Sequence, residues 1–193
     1  VTAANELFRR QGFNGTSLKE ITAAAEATTG SLYHFWPGGK EELTAEVLQM
    51  SGAIYRELFD ALVTDTADPG QAIADFFEGG AAVLESTDFI DPCPIGTVAR
   101  EVASTNEPLR VIANIVFESW VDAAASFFER SGFGHDVARE LAHTVVALVE
   151  GMVPRTHVIG ALDTLENLKK GGRIGGAQAL LGSLLSIKPL LDI

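Results

Sequence analysis

Apolar positions recur at helical spacing along nearly the whole of this 193-residue chain, and no segment shows the strict alternation of a half-buried strand. Ala4, Leu7 and Phe8 make a first apolar stripe, which Gly12 is placed to close from the position just past a helix end. Ser17-Leu18-Lys19-Glu20 has the spacing of a capping box and opens a second short helix with Leu18, Ile21 and Ala25 inward. Thr28 is a good N-cap for a third, running to about His34. Phe35 and Trp36, large and apolar, are expected to anchor in the core, and Pro37-Gly38-Gly39 forces a turn. From Lys40 the pattern predicts a long helix that buries Leu43, Val47, Ile54 and Leu58.

Asp68-Pro69-Gly70 punctuates the chain before a helix carrying Ile73, Phe76, Phe77 and Leu84. Asp91-Pro92-Cys93-Pro94 breaks it again, with Pro94 suited to a first helical turn. After Asn106-Glu107-Pro108, residues 109–128 keep the i, i+3, i+4, i+7 rule through Leu109, Ile112, Ala113, Val116, Phe117, Trp120, Val121, Ala124, Phe127 and Phe128. Asn114, Glu118 and Asp122 mark its solvated side, and Gly132 and Gly134 close it. A further helix is expected over residues 136–163, apolar almost all round from Val145 to Val153, with a kink at Pro154. A Gly-rich stretch near residues 169–176 precedes a last helix with Leu180, Leu181, Leu184 and Leu185. The sum is an all-α protein of about nine helices: a small N-terminal domain over residues 1–48 and a larger helical one over 49–193.

Composition narrows the class. Nearly half the residues are apolar, enough for a true core. No apolar run approaches the roughly 18–20 residues of a membrane span, because Gly, Pro and charge interrupt every candidate. No signal-peptide pattern opens the chain, and the single cysteine, Cys93, excludes an internal disulfide framework, so a cytoplasmic location is expected. The net charge of −12 is unevenly spread: residues 1–40 hold Arg9, Arg10, Lys19 and Lys40 against Glu6, Glu20 and Glu26, a net +1. The acidic remainder would repel DNA, while the first 40 residues do not.

Three short helices with a tight turn between the second and third are the helix-turn-helix layout. On such a frame Thr28, Thr29 and Ser31 carry side chains short enough to reach base edges. Gly30 allows close approach to DNA, and Thr16 and Ser17 offer donors to phosphate at a helix start. Tyr33 and His34 can reach sugar and phosphate, and Lys40 adds a point charge.

The segment resembles the TetR family of repressors through Glu6-Leu7-Phe8, Gly12-Phe13, Thr16-Ser17-Leu18, Ile21, Ala24-Ala25, Gly30-Ser31-Leu32-Tyr33-His34 and Lys40-Glu41-Glu42-Leu43. Pro37-Gly38-Gly39-Lys40, Cys93-Pro94-Ile95-Gly96 and Glu101-Val102-Ala103 look like its LmrA/YxaF-like subgroup. The resemblance implies a cytoplasmic homodimer that binds double-stranded operator DNA and is released by a small aromatic or amphipathic effector, with no cofactor or metal. Two positions depart from the family pattern. Glu26 stands where the inter-helix turn usually has glycine and is expected at positive φ, and Thr29 replaces a frequent lysine or arginine. A short basic arm is expected ahead of residue 1.

For the effector, the candidate lining is Phe76, Phe89, Cys93, Phe117, Trp120, Met152, Arg155 and His157, an aromatic supply beside the Pro154 kink. For the dimer, the candidate face is Ala147, Gly151, Ala177, Leu180, Leu181 and Leu184, small and leucine-rich positions on the last two helices. Catalysis finds little support. Glu140-x-x-His143 is one half of a di-iron pattern, Gly39-Lys40 lacks the rest of a P-loop, and no Ser-His-Asp or zinc spacing appears. A helical dimeric adaptor or ligand-binding protein with weak or no DNA affinity stays open on the strength of Glu26 and Thr29.

Overall fold

The structure, a computed structural model, describes residues 1–63, 68–87 and 93–151. Among them every regular element is an α-helix: α1 (Thr2–Gly15), α2 (Leu18–Ala24), α3 (Thr29–Phe35), α4 (Lys40–Leu62), α5 (Pro69–Ser86), α6 (Pro94–Val102), α7 (Glu107–Arg130) and α8 (His135–Gly151). Eight helices thus stand against about nine expected. The predicted last helix at residues 180–185 and the Pro154 kink lie outside the described residues.

The chain divides into two compact units. One comprises Val1–Arg56 and Thr87–Ser119; the other comprises Glu57–Ser86 and the chain from Trp120 onward. In the first, α6 packs along α1, and the core includes Phe8, Leu43, Val47, Ile95, Val98 and Leu109, none more than 1% exposed. Gly52 of α4 faces Val116 of α7 so closely that a Cβ there would overlap the valine's methyl carbon. Beside it, buried Ser51 donates from Oγ to Asn5 Oδ1 at 3.1 Å.

The second unit is held by a ring cluster. Phe59 lies edge-on to Phe76 and Phe127 (centroids 5.2 and 6.4 Å), and Phe128 meets Phe127 at 5.3 Å. Such offset pairs add to the burial of their area. At the end of α7, Gly132 (φ 93°) donates to Glu129 O and Phe133 N–H to Phe128 O. These two bonds make a Schellman cap, and the rings of Phe133 and Phe128, 5.9 Å apart, supply its apolar contact. The glycine predicted to close this helix does so because only it takes positive φ without strain.

Two expectations about burial are corrected. Ile54 and Leu58 are 53% and 47% exposed. The buried line of α4 runs from Leu43 and Val47 through Ser51 and Gly52 to Phe59. A stripe projected from Leu43 misses this drift, because small and polar residues mark the buried face midway. The second correction concerns α7. By length and composition it is apolar enough to cross a membrane, but half of its apolar stretch is buried in the protein, as in a core helix.

Candidate nucleic-acid interface

The N-terminal head is built by local signals that act as the sequence indicates. Ser17 Oγ caps α2 by accepting from Glu20 N at 3.2 Å, and Glu20 Oε2 accepts from Ser17 N at 2.8 Å, completing the capping box. The Ser17 hydroxyl bond, followed by its backbone N–H bond and the Lys40 charge, holds the Glu20 carboxyl below the ordinary carboxylate range. Thr28 caps α3: its Oγ1 accepts from Ser31 N at 3.1 Å and lies 3.0 Å from Ser31 Oγ.

Between α2 and α3, Glu26 sits at φ 49°, the one non-glycine at positive φ among the described residues. Its conformation is fixed from both sides by Glu26 N to Ala23 O (3.2 Å) and Ala27 N to Thr22 O (2.9 Å). The strain anticipated from the missing glycine is therefore present.

Helix α3 gives the core a single buried side chain, Leu32. Thr29, Gly30, Ser31, Tyr33, His34 and Phe35 are all exposed, and no acidic or basic side chain other than His34 lies between Glu26 and Lys40. At Gly30 a Cβ would meet only Thr28 Oγ1, at an ordinary 3.7 Å, so the fold itself does not require glycine there. Tyr33 lies against Gly39, where φ is 69° and a Cβ would come within 3.3 Å of the tyrosine ring.

Two assignments change, and the setting of a third is sharpened. Phe35 is 68% exposed and not a core anchor; its ring stacks edge-on with His34 at 5.1 Å. Half-buried Trp36 takes the anchoring place, and its Nε1 donates to Glu46 Oε2 at 2.6 Å. Thr16 is buried, and its hydroxyl donates to Gly12 O at 2.7 Å, so this group closes the end of α1 and is not presented to an outside phosphate. Lys40 does open α4, but half-buried, with Nζ 4.2 Å from the Phe13 ring centroid. Burial pushes its pKa down, against the pull of the Glu101 and Glu20 carboxylates.

The remaining candidates fall in both units. Phe76, half-buried, and Trp120, buried, belong to one unit; Cys93, the residue just ahead of α6, and Phe117 belong to the other, both half-buried. Ala147 is exposed on α8, and Gly151 is its last residue. Phe89, Met152, Arg155, His157, Ala177, Leu180, Leu181 and Leu184 lie outside the described residues.

Periodicity did not reveal the contacts across the head. Glu101 Oε2 accepts from Asn14 N at 2.7 Å, and Asn106 Nδ2 donates to Glu41 Oε1 at 2.7 Å. Partners 87 and 65 residues apart leave no trace in a local pattern. The one available signal is Glu101-Val102-Ala103, which carries part of the subgroup resemblance but names no contact.

A capped, almost wholly exposed third helix set across a tight turn from the second defines a helix-turn-helix protein. Residues 1–47 match the family model for bacterial regulatory proteins of the tetR family, and residues 69–170 match that for the C-terminal domain of LmrA/YxaF-like transcriptional regulators. The chain belongs to the TetR family of transcriptional regulators, in its LmrA/YxaF-like branch. It is 36% identical over 148 residues to the HTH-type transcriptional regulator YxaF of Bacillus subtilis, covering 77% of this chain and 78% of that one. To LmrA of the same organism it is 32% identical over 152 residues, 78% and 80% of the two chains. A TetR regulator from Legionella pneumophila superposes with a TM-score of 0.68 over 86% of this chain and 89% of that one; its 22% identity speaks for the fold alone.

Proposed function

We propose that the chain is a DNA-binding repressor that works as a homodimer in the cytoplasm, with residues 1–48 reading the operator and residues 49–193 carrying an effector pocket and the dimer face. The observation that carries this reading is α3. A helix that gives the core one leucine and shows short hydroxyls, a glycine and aromatic rings to solvent contributes little to its own fold. Its composition suits a major groove: Thr29 and Ser31 for base edges, Gly30 for close approach, Tyr33 and His34 for sugar and phosphate. Ser17 and Thr28 shape the helix starts, and Lys40 supplies charge from the start of α4.

The effector part of the reading rests on the family. An aromatic or amphipathic molecule fits a supply that includes Phe76, Phe117 and Trp120. Exposed Ala147 on α8 supports a pairing surface there. Effector binding would act by changing the spacing of two α3 helices, which must sit about 34–36 Å apart to read successive major grooves.

Binding to palindromic duplexes from upstream of the chain's own gene, measured at rising salt, tests the reading. A repressor should show sequence preference and an affinity that falls linearly on log–log axes as counterions are released. A folded dimer with no preference for any such duplex would favour the adaptor reading, to which Glu26 and the uncharged Thr29 give support.

A further inference from the structure

We propose that Glu101 is a positioning residue for the DNA-reading head: from α6 it fixes the α1–α2 junction and, with Asn106, the start of α4, and so sets both flanks of α2 and α3. The inference rests on the reading of α3 as the DNA-contacting helix.

Three observations converge on this carboxylate. Gly12 has φ 72° and ψ −178°, a conformation open essentially to glycine alone, and the space its Cβ would fill is occupied by the Glu101 carboxylate. Two residues on, Asn14 donates its backbone N–H to Glu101 Oε2 at 2.7 Å, a charge-assisted bond to a main-chain group just past the bend in α1. Beyond the reading helix in chain order, Glu101 also acts on Lys40, whose ammonium is drawn back toward its charged form by Glu101 and Glu20 while resting on Phe13.

A second tether lies close in sequence. Asn106 caps α7 by accepting from Leu109 N at 3.1 Å, and its amide nitrogen donates to Glu41 in the first turn of α4. Residues 101–106 therefore hold the chain at Asn14 before α2 and α3, and at Glu41 after them. Both holds come from the end of α6 and the start of α7, within the stretch that matches the family's C-terminal domain. A shift of α6 would carry both flanks of the reading helix with it. Loss of Glu101 would loosen them without touching a DNA-facing side chain.

Three variants test this: Glu101→Ala, which removes the group; Glu101→Gln, which keeps its length and an acceptor oxygen; and Glu101→Asp, which keeps the charge but withdraws it. The first readout needs no DNA. Hydrogen exchange at the Asn14 amide should quicken about tenfold in Glu101→Ala and Glu101→Asp, the scale of one charged hydrogen bond, and stay near the parent in Glu101→Gln. The Lys40 ammonium should titrate lower in Glu101→Gln and Glu101→Ala than in the parent, since the opposing carboxylate is gone.

The second readout uses duplexes selected by the parent chain from a randomised pool. Glu101→Ala should lose about tenfold in the ratio of selected to unrelated duplex binding. Glu101→Gln should keep most of that ratio, because its amide still accepts from Asn14. Full selectivity in a folded Glu101→Ala, or unchanged Asn14 exchange, would overturn the proposal. Should Glu101→Ala fail to fold, Glu101→Asp decides by the same measures, and parent-like exchange and selectivity there would overturn it. If the parent selects no duplex, the DNA-binding reading fails, and the clamp is judged by Asn14 exchange and Lys40 titration alone.

Discussion

Replacing Glu26 by glycine should stabilise the protein, and the size of the gain follows from the backbone. A side chain in the left-handed region costs about 1–2 kcal/mol through the clash of Cβ with the following carbonyl. Glu26, at φ 49° and pinned by backbone bonds through its own N–H and that of Ala27, bears this cost in the folded state. Glycine removes it but loses more chain freedom on folding, an opposing term of about 0.5–1 kcal/mol. The net gain is about 0.5–1 kcal/mol, or roughly 1–4 °C in thermal midpoint for a chain of this size. Glu26→Ala is the control, since it removes the carboxylate and keeps the strain; its midpoint should stay near the parent's. Both variants remove a negative charge just ahead of α3, so both should tighten duplex binding by a similar factor that shrinks with salt. Circular dichroism melts and fluorescence anisotropy separate the two effects. A midpoint that falls in Glu26→Gly, or rises equally in Glu26→Ala, would refute the assignment of strain to this backbone.

Other outcomes follow from the same structure. Gly132→Ala should cost about 0.5–1 kcal/mol, because a Cβ there meets nothing within 4 Å and the positive φ of the Schellman cap opposes it more strongly than the smaller chain freedom of alanine favours it; equilibrium denaturation checks this. Phe35→Ala should leave the melting midpoint nearly unchanged, as expected for a residue 68% exposed, and weaken binding to selected DNA without changing its salt slope, since no cation is lost. The Ser17 amide should report the Glu20 carboxyl by NMR titration. Because hydrogen bonds from Ser17 lower this pKa in the folded state, the capping box contributes fully above the ordinary carboxylate pKa and is lost as pH falls through the lower folded value. A Ser17 titration at the unperturbed glutamate value would contradict that bond.

The parts of this protein that are legible in sequence are those whose physics is local. The capping box at Ser17 and Glu20, the N-cap at Thr28, the turn at Gly39, the positive φ of Glu26 and the stripe of α7 all depend on neighbours within a few residues. Burial is less legible. Phe35 and Trp36 are adjacent and similar in character, yet one faces solvent and the other reaches Glu46, a difference set by helix phase at the very end of α3. Ile54 and Leu58 read as core because the face that is in fact buried passes through Ser51 and Gly52. At the candidate site the sequence marks α3 well but mistakes Thr16 for a surface donor, since its spacing does not show the Gly12 carbonyl it serves. Glu101 lay beyond reach because its partners are assembled only when α6 packs on α1.

If α3 reads duplex DNA as one half of a symmetric pair, as proposed above, the sequences that the protein selects carry that symmetry. Sequencing the duplexes that the full chain enriches from a randomised pool tests it most directly. The expected product is an inverted repeat whose half-site centres lie one helical turn, about 10–10.5 base pairs, or a multiple of it apart, with enrichment lost when Gly30 of α3 is changed to a bulky residue. A folded protein that enriches no repeat, or the same repeat whatever stands at Gly30, would contradict it.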